Sequence, residues 1–274
     1  MRDTSSRGLT ALIGAVLGLG ALVTAFPFLW MLLGSVKPRP ETVASPPALL
    51  PREPTLRYFG TLFGELDFGR YLVNTLVVVA IGMAGVVLAA MAGHGFATYR
   101  FRGRSALFLL VLTTMMIPVQ VTMIPTYLLL DGVGLTGTLV GVALPSLVSG
   151  FGVFLFRQFM STIPAEMIEA ARIDGAGEAR VFWRIVLPLS RPVVAVQLVL
   201  AFIAGWNSFL WPLVIAGDDR LYTLSVGVSL LNQQIATDPS LQMAGASLMV
   251  VPVLIVFVLF QRHIVRGFTL SGLT

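Results

Sequence analysis

Long apolar runs alternate with short polar breaks along almost the whole chain. Six of them stand out, over residues 9–33, 72–98, 105–130, 138–156, 192–216 and 241–260. Each is continuous and of the order of 20 residues, the length a helix needs to cross about 30 Å of hydrocarbon. A spanning barrel would show shorter segments that alternate apolar and polar positions. The pattern therefore predicts an all-α integral membrane protein with six transmembrane helices: a short start over 1–8 and one membrane domain over 9–274. The first run exceeds the roughly 7–15-residue core of a cleaved signal peptide and lacks a small-residue cleavage site after it, so it is expected to stay as an anchor.

Within the runs, small residues and prolines mark local features. Gly14 and Gly18, and the stripe Gly85, Ala89 and Gly93, are placed for close approach of a neighbouring helix. Pro118 and Pro125 are expected to interrupt and bend the third span. The longest break, 34–70, carries six prolines and then Leu56, Phe59, Leu62, Phe63 and Leu66 at helical spacing. That spacing fits a short helix at the membrane surface or one capping the bundle. A polar loop is expected over 217–240.

One break differs from the rest. Residues 164–188 are charged and helix-favouring, with Glu166, Glu169, Asp174 and Glu178 among Arg172, Arg180 and Arg184. Pro164 suits the first position of a helix and Glu166 its positive end. Gly175 and Gly177 are expected to end that helix, Glu178 to open a second reaching Val186, and Pro188 to stop it. Two helices of about ten residues are marginal alone in water and need a surface to pack on. Ala170, Ala171 and Gly175 would let a partner's backbone come close, and Glu169 can pair with Arg172, Arg180 or a partner's cation. An idle amphipathic loop fits these residues equally well.

Composition and charge narrow the function. The chain is 56% hydrophobic and 11% charged, with a mean hydropathy of +0.89, where soluble domains carry about 25% charged residues. With no cysteine, disulfides and thiol-bound metals are excluded. Counted over alternate breaks, twelve arginines fall on one side; five arginines and the single lysine, Lys37, fall on the other. The richer side holds both termini and 157–191, and is therefore expected to be cytoplasmic. The high pI reflects this asymmetry and not nucleic-acid binding. No Gly-Lys-Ser/Thr phosphate loop exists, so ATP hydrolysis would have to come from another chain. No charge falls inside the six spans, which disfavours an ion-coupled secondary transporter, the alternative kept in view. No acid pair, metal cluster or nucleophile–base set suggests an enzyme, and His94 and His263 are expected to be structural. Gln120, Trp206 and Asn207, with Gln197 behind them, are candidate pathway residues. Amides at hydrocarbon depth need partners, and aromatic faces beside amides suit sugars. Trp30, Trp206 and Trp211 also fit an interface belt.

Glu169-Ala170-Ala171, then Gly175, Ile185 and Leu187-Pro188 at fixed spacing, resemble the "EAA" loop of ABC importer permeases. Asn74-Thr75-Leu76, Ile117-Pro118-Val119-Gln120 with Ile124-Pro125, and Trp206-Asn207 with Trp211-Pro212 resemble the carbohydrate branch. Within it the pattern is similar to the second, six-span permease of maltose-type importers. The ending 267–272 is similar too, but stops without that family's usual basic tail. The resemblance implies a bacterial cytoplasmic-membrane permease that does no bond chemistry. Glu169, Ala170, Ala171, Asp174, Gly175, Ile185, Leu187 and Pro188 would dock on a cytoplasmic ATPase. It also implies a second permease forming a heterodimer, two copies of the ATPase that bind ATP and magnesium, and an extracytoplasmic solute-binding protein. The solute would be a sugar or sugar-like molecule.

Overall fold

The computed structural model describes residues 4–234 and 238–269, with side chains described over 9–233 and 238–261. Every regular element among them is helical. Four helices are long and apolar enough to cross a membrane: Leu9–Gly34, Phe68–Thr98, Leu139–Met160 and Pro239–Gln261. Two bent pairs raise that number to six if each pair is one span. The chain divides into two compact units: Met1–Asp67 with Val228–Val251, and Phe68–Gly227 with Pro252–Thr274.

In the first unit, helix α1 (Thr4–Gly34) is exposed from residue 9 to 29 and becomes buried only at its end. A Cβ added at Gly14 or Gly18 would meet nothing within 4 Å, so no described residue of this chain packs closely there. The close approach occurs at Gly34, where a Cβ would fall 2.1 Å from the Met243 sulfur. Lys37 is 1% exposed. Its ammonium donates to the carbonyls of Ala48 (2.6 Å) and Leu49 (2.9 Å) and stands 4.7 Å from the Trp30 ring centroid. Those contacts satisfy a buried cation without a carboxylate. Helix α2 (Arg39–Thr42) is one turn, joined through Thr42 to the Ser240 hydroxyl at 2.7 Å. Helix α3 (Arg57–Gly64) realises the apolar spacing read after the prolines, with Leu62 buried and Leu56 71% exposed.

The second unit is organised on α4 (Phe68–Thr98). Its small residues behave as read: a Cβ on Gly85 would meet the Leu147 carbonyl at 2.2 Å, and one on Gly93 the Phe156 Cβ at 2.4 Å. Gly82 extends the stripe against Ser146. Helix α5 (Arg104–Met116) and helix α6 (Val119–Gly132) meet at 106°. Ile117 is extended there, as a residue before proline must be. Pro118 breaks the third run; Pro125 stays inside α6 without a break.

The fourth run, Leu139–Met160, is irregular along its length. Helix α7 (Leu139–Ala143) passes into a 3-10 turn at Leu144–Leu147, where Pro145 removes a donor. Ser149 then caps α8 (Gly150–Met160) by accepting from the Gly152 amide at 3.0 Å. The 164–188 stretch supplies α9 (Ala165–Ile173), α10 (Glu178–Val181) and α11 (Leu187–Leu189). The fifth run divides as well: α12 (Arg191–Trp206) ends at Asn207, and α13 (Leu210–Ile215) restarts beyond it. The expected loop at 217–240 contains a helix, α14 (Leu224–Gln234), with Leu224, Val226 and Leu231 buried. Helix α15 (Pro239–Thr269) is continuous through Pro252.

Among the described residues, two buried clusters lie in the second unit. One gathers Val78, Leu130, Val142, Ala143 and Ile215. The other gathers Val86, Ala89, Ala90, Val153, Phe156 and Val193 with Ile168, Val181, Phe182 and Val186. The last four come from the polar stretch, so that stretch is rooted in the membrane helices. Of the ending 267–272, the part from residue 270 lies outside the described residues.

Candidate functional site

Helix α9 has two unlike faces. Ile168 is buried and Ala171 half-buried in the core, while Glu166, Met167, Glu169, Ala170 and Ile173 look outward. Ile173 is 86% exposed. A large apolar side chain held out beside Ala170 and among Glu166, Glu169 and Asp174 is the composition of a contact surface. Pro164 precedes the helix as its cap residue and is not its first member.

The end of α9 is built by Gly175. Its φ of +80° is left-handed, which glycine adopts without a Cβ penalty. The Ala176 amide donates to the Ala171 carbonyl at 2.9 Å, and the Gly175 amide to the Arg172 carbonyl at 3.0 Å. This pair of bonds is a Schellman closure, which satisfies the last carbonyls and turns the chain sharply. Gly177, read as a second terminator, instead opens the next helix as the residue before Glu178.

Pro188 does not end the second helix. The Leu187 amide reaches back to the Phe182 carbonyl, a π turn over Phe182–Val186 that leads directly into α11. A wider turn relieves the clash between a proline ring and the carbonyl four residues before it. The chain bends by 81° between this helical segment and α12. At that bend Ser190, fully buried, donates its hydroxyl to the Val186 carbonyl at 2.7 Å, and Pro192 follows in the first turn of α12. Ile185, Leu187 and Pro188 are half-buried along this corner, whereas Glu169, Ala170, Asp174 and Gly175 are exposed and Ala171 half-buried. The docking candidates thus divide into an outward face on α9 and a buttress at the bend.

In the sequence Glu178 stood only as an acid opening the second helix, and Tyr99 was not singled out. Arg172 donates to both Glu178 carboxylate oxygens, Nε to Oε1 at 2.8 Å and Nη2 to Oε2 at 3.0 Å. The Tyr99 hydroxyl donates to the same carboxylate. Arg172 therefore pairs with Glu178 and not with Glu169, because the Schellman turn carries α10 back beneath the end of α9. The Arg172 hydrogen bonds, then that of Tyr99, hold the Glu178 carboxyl below the usual carboxylate range. Burial and the Glu178 bond push the Tyr99 phenol up, and the Glu178 bond raises Arg172. Arg172 and Glu178 side chains remain 37% and 52% exposed. Such a pair contributes about 0.2–1 kcal/mol, so its value lies in geometry: it ties α9, α10 and the end of α4 together. His94, one turn before Thr98, packs edge-on to Tyr99 and against Phe182, with ring centroids at 5.4 and 5.5 Å.

The three pathway candidates have different surroundings. Trp206 is 3% exposed and stacks on Phe202 at 5.4 Å. Asn207 is exposed and donates to the Ile203 carbonyl at 3.0 Å. Gln120 is exposed in the first turn of α6, just after the 106° corner. Gln197 is buried in α12 with its amide nitrogen unpartnered among the described residues. At the far end of α4, Asn74 donates to the carbonyls of Arg220 (2.8 Å) and Tyr222 (2.9 Å), and Thr75 accepts from the Leu224 amide at 2.8 Å. Helix α4 therefore runs unbroken from the 220–224 turn to the Tyr99 tie. Among the described residues, no three His, Cys, Asp or Glu side chains are grouped to hold a metal.

Residues 85–270 match the family described as binding-protein-dependent transport system inner membrane component. The chain is 34% identical over 259 residues to the arabinooligosaccharides transport system permease protein AraQ of Halalkalibacterium halodurans, covering 92% of each. It is 35% identical over 272 residues to the sn-glycerol-3-phosphate transport system permease protein UgpE of Brucella abortus, covering 95% of this chain and 96% of the relative. Its fold is similar to a chain of a bacterial ABC transporter involved in the import of the acidic polysaccharide alginate. There the TM-score is 0.82 at 21% identity, covering 96% of this chain and 98% of the other.

Proposed function

Because this chain belongs to the family of binding-protein-dependent transport system inner membrane components, we propose that it is the six-span permease of an ABC importer for a sugar or sugar-like solute. Each bent pair then contributes one span, with Glu178–Leu189 on the cytoplasmic side of the second, and both termini and α9 face the cytoplasm. The arabinooligosaccharide and glycerol-phosphate relatives support the solute class. A second permease completes a heterodimeric pore, two ATPases bind ATP and magnesium below it, and a solute-binding protein delivers cargo outside. This chain contributes a path and a lever, and breaks no bond.

The two-faced α9 carries this reading. Its exposed side, with Glu169, Ala170 and Asp174, docks on the ATPase, while Ile168, Val181, Phe182 and Val186 root it in the membrane core. Closure of the ATPases displaces α9. The Schellman turn and the Arg172–Glu178–Tyr99 tie transmit that displacement to α4 as a rigid shift, since packed elements move as bodies and do not deform smoothly. Ile185, Leu187 and Pro188 carry it round the bend into α12, which leads to Trp206 and Asn207; with Gln120 these are assigned to the solute path.

The test is reconstitution of the assembled importer in proteoliposomes. Glu169→Arg should abolish ATP-driven uptake and reduce retention of the ATPase, leaving membrane insertion intact. Wild-type uptake and retention in that variant would overturn the docking role. Loss of uptake in Asn207→Ala with ATPase retention preserved would separate the path from the lever.

A further inference from the structure

Between the start of α5 and the end of α8 lies a groove of ≈ 390 Å³, lined by Arg104, Ser105, Phe108, Leu109, Leu112 and Arg157. The role just proposed makes no use of it. We infer that this groove is a binding site for an anionic phospholipid, with the headgroup phosphate on Arg104 and Arg157 and an acyl chain along Leu109 and Leu112.

The charge arrangement asks for an anion. The Arg157 guanidinium lies 3.8 Å from the Phe108 ring centroid, and its Nε is buried with no hydrogen-bond partner among the described residues. An arginine stays charged in a protein, and a partly desolvated cation is costly without an opposite charge or acceptor. Arg104 has one acceptor, the Ala97 carbonyl at 3.3 Å, which leaves most of its fork free. Neither α5 nor α8 contains an acid. Glu178, in the nearby polar stretch, is already engaged by Arg172 and Tyr99. Arg100 and Arg102 stand exposed on the turn just before α5 and deepen the positive field. Arginine's planar fork matches phosphate oxygens in pairs.

The apolar half of the groove selects lipid over a free anion. Leu109 is 63% exposed, continuing onto Leu110 on the outer side of a helix of membrane composition. A soluble phosphate gains nothing from that wall, whereas a lipid places its headgroup and chain where charge and oil meet. Basic pockets between helices on the cytoplasmic side bind such headgroups. The cytoplasmic placement rests on the orientation proposed above; the groove itself does not.

The assembled importer, purified with this chain at full length, is placed in nanodiscs of phosphatidylcholine alone or with phosphatidylglycerol on both leaflets. The result is then independent of orientation. Retained phosphatidylglycerol is counted by native mass spectrometry after delipidation. Wild type should keep it in preference to phosphatidylcholine. Arg104→Gln should weaken retention about fivefold, Arg104→Gln with Arg157→Gln about 25-fold, and Arg157→Lys should restore part of the loss. Arg104→Gln alters a half-exposed residue, so it reports even if the double variant fails to assemble. Equal retention in wild type and Arg104→Gln overturns the site. So does equal retention of both lipids, displacement by millimolar inorganic phosphate, or a crosslink showing that the second permease fills the groove.

Discussion

Gly175 has a left-handed backbone that other residues replace poorly. A Cβ there would meet nothing within 4 Å, but φ is +80°, and a non-glycine residue in that region costs about 1–2 kcal/mol. Gly175→Ala should therefore loosen the α9 turn without touching the core. Co-purification should show less ATPase bound, at unchanged insertion of the permease. The Glu178 carboxyl makes a prediction with a sign. Its folded pKa lies below its ordinary 4.5, so its contribution is present above that value and is lost as pH falls through the depressed one. Hydrogen exchange at 172–178, corrected for intrinsic rates, should rise across that acid window in wild type. In Glu178→Gln it should already be raised at neutral pH and flat below. Both groups are partly exposed, so high salt should shrink the difference. Gly175 was legible in the sequence because a sharp helix end leaves glycine few substitutes. Tyr99 was not: it lies 79 residues from Glu178, and only the packing of α4 beside α10 brings them together.

Among elements, α4 has little slack at its small residues. A Cβ on Gly85 would fall 2.2 Å from a backbone carbonyl, which cannot rotate away. Gly85→Val should cost about 1–3 kcal/mol by overpacking, seen as a lower thermal midpoint in detergent. Gly14→Val, with open space around it, should leave the midpoint unchanged. Run length made the apolar segments readable, and the bend at Pro118 followed from proline chemistry. The breaks at Ser149 and Asn207 did not, because neither Pro145 nor Asn207 disrupts the hydropathy of its run. The π turn was equally hidden: proline predicts a helix end, and here the buried Val186 and Ser190 hold the helix together past it. Helix α14 was missed because its apolar residues are diluted by Ser, Asn and Gln.

At the scale of the whole molecule, charge asymmetry and docking make one joint statement that fusions can check. A reporter joined after Gly177 should be active only as a cytoplasmic marker, and one after Asp218 only as an extracytoplasmic marker. The reverse result would remove α9 from reach of any ATPase. Fold class was legible because oil in lengths of about 20 residues has few solutions. The solute was not, since the candidate path residues are an exposed asparagine, a buried indole and an exposed glutamine, which between them fix no single ligand shape. Lys37 is the only lysine in the sequence, and its amine is enclosed by two carbonyls and an indole. Lysine-directed acylating reagents should therefore leave the folded chain's side chains unmodified while marking the subunits assembled with it. With no cysteine present either, any single thiol introduced into this chain is its one thiol address.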